Sequence, residues 1–172
     1  MAIQDYGSML DMFRLQARRY GLVNKKVDVP LHPKDDEEIV SLYEKAITPN
    51  TRLLIVSHIV NITGQIRPSL KICAMAHTHG VDVLVDGAHC VGHFEYSISS
   101  LDCDYYASSL HKWLSTPLGA GLLYVRQDKI NNLWQMFGDT GYKDDDIRCL
   151  LYTSDAADDL LCVYLDCRRI IK

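Results

Sequence analysis

The sequence predicts an α/β protein built on a mostly parallel sheet with flanking helices. Two near-continuous apolar runs, TRLLIVS from Thr51 and VDVLVD from Val81, have the length and composition of strands buried on both faces of a parallel sheet. Between them SLKICAMAHTHG, from Ser69, reads as a crossover helix. Two more strand-like runs follow, CDYYASS from Cys103 and GLLYVR from Gly121, so strands and helices alternate as they do in doubly wound folds.

The flanking elements follow the same reasoning. Residues 8–20, SMLDMFRLQARRY, place Met9, Met12, Phe13 and Ala17 at helical spacing, and Gly21 supplies a stop. A strand is expected at about 22–28. DDEEIVSLYEKAI puts acidic residues in a first helical turn, where the positive end of the helix dipole favours them, and lines Ile39, Leu42, Tyr43 and Ala46 along one stripe. Pro49 and Asn50 then break the chain. DKINNLWQMF, from Asp128, reads as a further helix.

At 172 residues, 48% hydrophobic and 23% charged, the chain has the length of about one domain and enough apolar side chains for a core. A formal charge of -4 with scattered Lys and Arg argues against a nucleic-acid footprint, which needs a clustered basic surface. No run approaches the roughly 18 apolar residues that would cross a bilayer, and the N-terminus lacks the charged-then-apolar order of a signal peptide. A cytoplasmic location is the default expectation. Six cysteines (Cys73, Cys90, Cys103, Cys149, Cys162 and Cys167) form no C-x-x-C pair, which argues against a disulfide framework or structural zinc, and the first three are expected to be buried and reduced.

The last stretch, CLLYTSDAADDLLCVYLDCRRIIK (149–172), differs in kind. It resembles the translation of a transposon-type sequencing-library adapter, so it is expected to be a read-through artefact and is set aside from functional reasoning, with a genuine terminal strand or helix as the alternative. Residues 1–148 remain as one structural unit.

Chemistry concentrates in VDVLVDGAHCVGH and DCDYYASSLHKWLSTPLGAGLLYVR. In open parallel sheets ligands bind beyond the carboxyl ends of the strands. Asp86 stands at such an end, with Gly87 and Ala88 keeping the exit narrow, and the strand at about 104–109 delivers Ser109, Leu110, His111 and Lys112 to the same edge. Most lysines are merely solvated and most strand-end aspartates cap a turn, so the pair gains meaning only jointly. A metal site is not expected from His77, His79, His89, Cys90 and His93, because His77 and His79, two apart at a helix end, face different ways. His58 reads as a structural loop histidine, and Gly119 with Gly121 as a tight strand entry.

VDGAH, SLHKW and GAGLLYV together resemble fold-type I pyridoxal-phosphate enzymes of the class V aminotransferase family, a group that includes cysteine desulfurases, selenocysteine lyases, kynureninases and isopenicillin N epimerase-like proteins. TRLLIVSHIVNITGQIRP is similar to that family's strand and cofactor-contact loop, and SLHKWLSTPLGAGLLYVR is most similar to its epimerase-like members. The resemblance spans essentially residues 1–148. It implies pyridoxal 5'-phosphate as cofactor, held through a Schiff base on Lys112, with Asp86 keeping the pyridine nitrogen protonated. Asn61 then matches a donor to the cofactor's phenolic oxygen, His89 a residue near that oxygen, Ser109 and His111 phosphate ligands, and Tyr6 the ring that stacks on the cofactor.

The resemblance further implies a partial large domain, without its N-terminal part and without the small C-terminal domain that supplies an arginine for the substrate carboxylate and, in desulfurases, a mobile nucleophilic cysteine. The intact parent would be a homodimeric lyase, epimerase or aminotransferase acting on an amino acid, with a cysteine desulfurase or selenocysteine lyase as the alternative. A second alternative is a truncated domain that is catalytically silent. A plain nucleotide-binding Rossmann domain lacks its G-x-G-x-x-G here.

Overall fold

The computed structural model describes residues 1–133. Three helices, α1 (Gly7–Tyr20), α2 (Asp36–Ala46) and α3 (Ser69–Thr78), accompany four strands, β1 (Leu53–Ser57), β2 (Asp82–Asp86), β3 (Tyr105–Ser109) and β4 (Gly121–Val125). The strands lie in the order β1-β2-β3-β4. The first three are parallel and β4 closes antiparallel on β3, the mostly parallel sheet that the apolar runs predict.

Alternation along the strands builds two faces. Leu54 and Val56 of β1, Val83 and Val85 of β2 and Tyr106 of β3 enter one core with Ile39 and Tyr43 of α2 and Ile72, Cys73 and Ala76 of α3. The opposite face carries Leu84 and Asp86, and Ala107 and Ser109. α2 begins where Asp35 accepts the Glu38 N–H at 2.8 Å, while the Glu38 carboxylate accepts the Lys34 N–H at 2.6 Å, satisfying donors that a helix start leaves open. All three cysteines among the described residues are buried and free.

At the strand edge away from the site, Asp104 ties four elements together. Its fully buried carboxylate accepts the Val83 N–H at 2.7 Å, contacts His77 Nε2 at 2.9 Å and pairs with Arg126 Nη2 at 2.7 Å. The Arg126 contact is an ion pair by distance, without the alignment of a hydrogen bond. Removing one member of a buried charged network leaves the others unpaired, so Asp104→Ala is expected to cost about 3–5 kcal/mol of unfolding free energy. Urea titrations of the two chains would measure it, and a loss below about 1 kcal/mol would contradict the reading.

Two expected elements differ. The strand at 22–28 is reduced to a single parallel bridge between Ala2 and Val27, because the chain turns directly after Ile3 and offers no longer partner. Leu22 and Val23 are left exposed. In place of the helix expected over 128–137, the described part is a 3-10 helix, Gln127–Asn132, with residues 134–137 outside the described residues. The expectation for residues 149–172 also falls outside them. α1 matches its predicted span, yet none of its residues is buried.

Candidate active site

The strand register sets the ends of β1 and β2 level, Ser57 beside Asp86, and pairs Asp86 with Ala107, so that β3 runs two residues further to Ser109. A cavity of about 380 Å³ opens between this edge and the start of α1. Tyr6, Asn61, Asp86, His89, Ser109 and Lys112, six of the seven residues nominated from the sequence, line it. His111 does not line it. Its half-buried ring instead places Nδ1 3.4 Å from the Ala120 carbonyl oxygen, across the β3–β4 turn.

Asp86 is held by its neighbours. Its Oδ1 accepts the Ala88 N–H at 3.0 Å, and its backbone carbonyl accepts the His58 N–H at 2.8 Å. Gly87 N–H donates to the Ala107 carbonyl and Ser108 Oγ–H donates back to the Gly87 carbonyl, both at 2.8 Å. A β-carbon at Gly87 would collide with the Tyr106 side chain, which is why glycine follows the acid. The turn therefore presents the carboxylate on a rigid base.

Lys112 arrives from β3 through a turn and lies across the cavity from the Tyr6 segment. Its Nζ is 3.2 Å from His89 Nε2 and 5.6 Å from the centre of the Tyr6 ring, a cation–π distance when the lysine is charged. Tyr6 itself is anchored through its neighbour: the buried Asp5 accepts the Ser57 hydroxyl at 2.8 Å and the Ala2 N–H at 2.7 Å. Burial pushes the Asp5 carboxyl above its usual range, against those hydrogen bonds and the nearby Arg67 guanidinium.

Several lining residues were not anticipated as site residues. Ser8, Met9 and Met12 reach the cavity from α1, and Ser57 and Ser108 from the strand ends. The only sequence signal for Ser108 was its place beside Ser109 in YYASS. Helical spacing marked Met9 and Met12 as one apolar face without saying what that face meets. The histidines considered for a metal separate: His77 pairs with Asp104 and His79 with Glu44. Among the described residues no group of three or more His, Cys, Asp or Glu could hold a metal ion.

Two imidazoles have acid affinities below the usual histidine value. His58, packed edge-on to Phe94 and Tyr96, is lowered by burial; His89 is lowered by burial and then by the Lys112 charge, with Asp86 opposing. Below the ordinary value of 6.5 the unfolded chain binds protons that the folded chain refuses, so stability falls as pH drops through that value. Thermal melts from pH 7 to about pH 5 should show this slope, and His58→Phe, which keeps a ring against Phe94 and Tyr96, should flatten it. An unchanged slope in the variant would assign the effect elsewhere.

The residues together present an amine, a carboxylate, hydroxyls and an aromatic face around one cavity, a donor set suited to a flat ring carrying a carbonyl and a basic nitrogen. Comparison with known proteins points the same way. The family model for aminotransferase class-V matches residues 22–149. Isopenicillin N epimerase of Streptomyces clavuligerus is 37% identical over 129 residues, which cover 75% of this chain and 32% of the epimerase. A cysteine desulfurase of Escherichia coli K12 is 39% identical over 99 residues, 58% of this chain and 24% of its own. The chain thus spans about a third or less of the length of these curated relatives.

Solved structures agree on the fold. A lysine-to-alanine mutant of C-DES, with glycine covalently linked to its PLP cofactor, superposes with a TM-score of 0.73 at 30% identity, over 79% of this chain and 36% of that one. The cysteine desulfurase CsdA of Escherichia coli gives 0.71 at 26% identity, over 84% and 36%.

Proposed function

Since the chain belongs to the aminotransferase class-V family, we propose that its cavity is part of a pyridoxal-phosphate site and that the whole protein acts on an amino acid. The observation that carries the reading is the convergence of Asp86 and Lys112, from neighbouring parallel strands, on one cavity. The residues present fit the cofactor chemically: an amine for its aldehyde, a carboxylate for its ring nitrogen, an aromatic ring for its face and serine hydroxyls for its phosphate.

Bound there, pyridoxal phosphate supplies a protonated pyridine ring that withdraws electrons from an amino acid's α-carbon. Asp86 would hold the proton on the ring nitrogen. Tyr6 would cover the ring, Asn61 would donate toward its phenolic oxygen with His89 near it, and Ser109 would donate to phosphate oxygens. Lys112 would hold the cofactor covalently through Nζ, and the same amine, when free, would take and return a proton at the substrate α-carbon. His111, turned to the Ala120 carbonyl, contributes to phosphate binding only if its free Nε2 reaches the anion.

Among the family's activities we favour the epimerase-like one, supported by the longer match to the epimerase, 129 residues against 99 for the desulfurase. A desulfurase needs a thiolate nucleophile. Burial pushes the Cys90 thiol up to about 11 and Cys103 to about 12, and raises Cys73 as well, so these three do not supply it. Sulfide release from cysteine by the whole protein would overturn this preference. Homodimerisation and a cytoplasmic location belong to the same proposal, the latter supported by three free, buried thiols.

The test is direct. Incubation of the chain with pyridoxal phosphate, borohydride reduction and peptide mapping should give one pyridoxyl adduct, on Lys112. Adducts scattered over the other lysines, or none, would contradict the proposal.

A further inference from the structure

Beside Lys112 lies a set of nitrogen contacts whose proton positions are forced by chemistry. Trp113 Nε1 is 3.1 Å from His89 Nδ1, and His89 Nε2 is 3.2 Å from Lys112 Nζ. An indole nitrogen can only donate, so His89 Nδ1 must accept. A neutral imidazole carries one hydrogen, which then sits on Nε2 and points at the lysine nitrogen. A free amine can accept that hydrogen; an ammonium has no lone pair with which to do so.

The surroundings hold this arrangement in place. His93 stacks on the Trp113 ring at 4.2 Å with 16° between planes, and its Nδ1 is 3.0 Å from the His89 carbonyl oxygen, which only accepts. Gly92, at φ 79°, brings its turn against the Trp113–Leu114 backbone so closely that an added β-carbon would lie 2.8 Å from Leu114 N. Ser115, next along, has φ 56°, a conformation costly for a residue with a side chain and retained where the surroundings impose it. Burial also favours a neutral His89, while Asp86 opposes it.

We propose that Trp113 is a positioning residue: its indole N–H fixes His89 in the tautomer that donates from Nε2 into the cavity toward Lys112. The inference gives His89 a defined role as donor and explains why a half-exposed tryptophan follows the lysine. It rests on the reading of Lys112 as the cofactor lysine only for its consequence. The tautomer itself is a property of the chain without cofactor.

Two measurements test it. In the nitrogen-15-labelled chain without cofactor, a scalar coupling across the hydrogen bond should link Trp113 Nε1 with His89 Nδ1. The second is a cycle of Trp113→Phe and His89→Gln, read as the rate of borohydride-trapped pyridoxyl attachment at Lys112. Loss of one hydrogen bond to a site group corresponds to roughly tenfold, so Trp113→Phe should slow attachment by about that factor. In the His89→Gln background the same change should have little effect, because an amide donor needs no tautomer set. Absence of the coupling, or an equal loss in both backgrounds, would overturn the proposal and assign Trp113 a packing role. Failure of the unmodified chain to form any adduct would instead sink the cofactor reading, with the coupling still deciding this one.

Discussion

Replacing Lys112 with alanine is expected to abolish pyridoxyl attachment to the chain and, in the whole protein, to lower turnover by about 10²–10⁴-fold beyond any loss of cofactor affinity, the usual contribution of a positioned proton-transfer group. The side chain lines the cavity, and its Nζ meets His89 Nε2 at 3.2 Å and the Tyr6 ring face at 5.6 Å. Alanine removes the amine and leaves the β3 backbone untouched, so the folded state should persist. Peptide mapping after borohydride reduction checks the first effect and steady-state kinetics the second. An adduct of undiminished yield on another residue would show that the cavity binds through a different amine.

Asp86→Asn is expected to have the next largest effect. The amide keeps the volume and can still accept the Ala88 N–H through its oxygen, so the Gly87 turn should survive. What disappears is the negative charge opposite a ring nitrogen. A hydrogen bond to a charged partner contributes about 1.5–3 kcal/mol, which converts to roughly 10- to 150-fold weaker cofactor binding. Titration of the chain with pyridoxal phosphate, followed by absorbance, measures it. Equal affinity in the two chains would remove Asp86 from its assigned role.

How far the sequence speaks differs from element to element. TRLLIVS and VDVLVD were legible as short, mostly apolar runs of strand length, and the end of the second located Asp86. The YYASS strand was legible through its order in the chain, and parity then sends Tyr106 to the core and Ser109 to the cavity. Leu22 and Val23 misled for the opposite reason: apolar and β-prone, they have no partner backbone to pair with, and hydropathy does not report on partners. Asn131 and Asn132 end a 3-10 helix, as residues that compete for backbone hydrogen bonds do.

Within the site, the acid and the amine could be found from motif and strand end together, whereas orientation could not. His111 and Lys112 are adjacent in sequence, yet only Lys112 lines the cavity, because the turn after β3 directs neighbouring side chains apart. Trp113 gave no sign of its contacts with His89 and His93, since contacts between two turns about twenty residues apart leave no periodic trace. The α1 face carrying Met9 and Met12 was legible as apolar and became a cavity wall only in three dimensions.

The proposed site grips one ring from two adjacent strand ends. A crystal structure of the chain after incubation with pyridoxal phosphate and borohydride reduction would examine that grip atom by atom. The predicted result is a single pyridoxyl group bonded to Lys112 Nζ, with its ring nitrogen within hydrogen-bonding distance of the Asp86 carboxylate. A pyridoxyl group on Lys112 whose ring nitrogen points away from Asp86, or one held on another residue altogether, would contradict it.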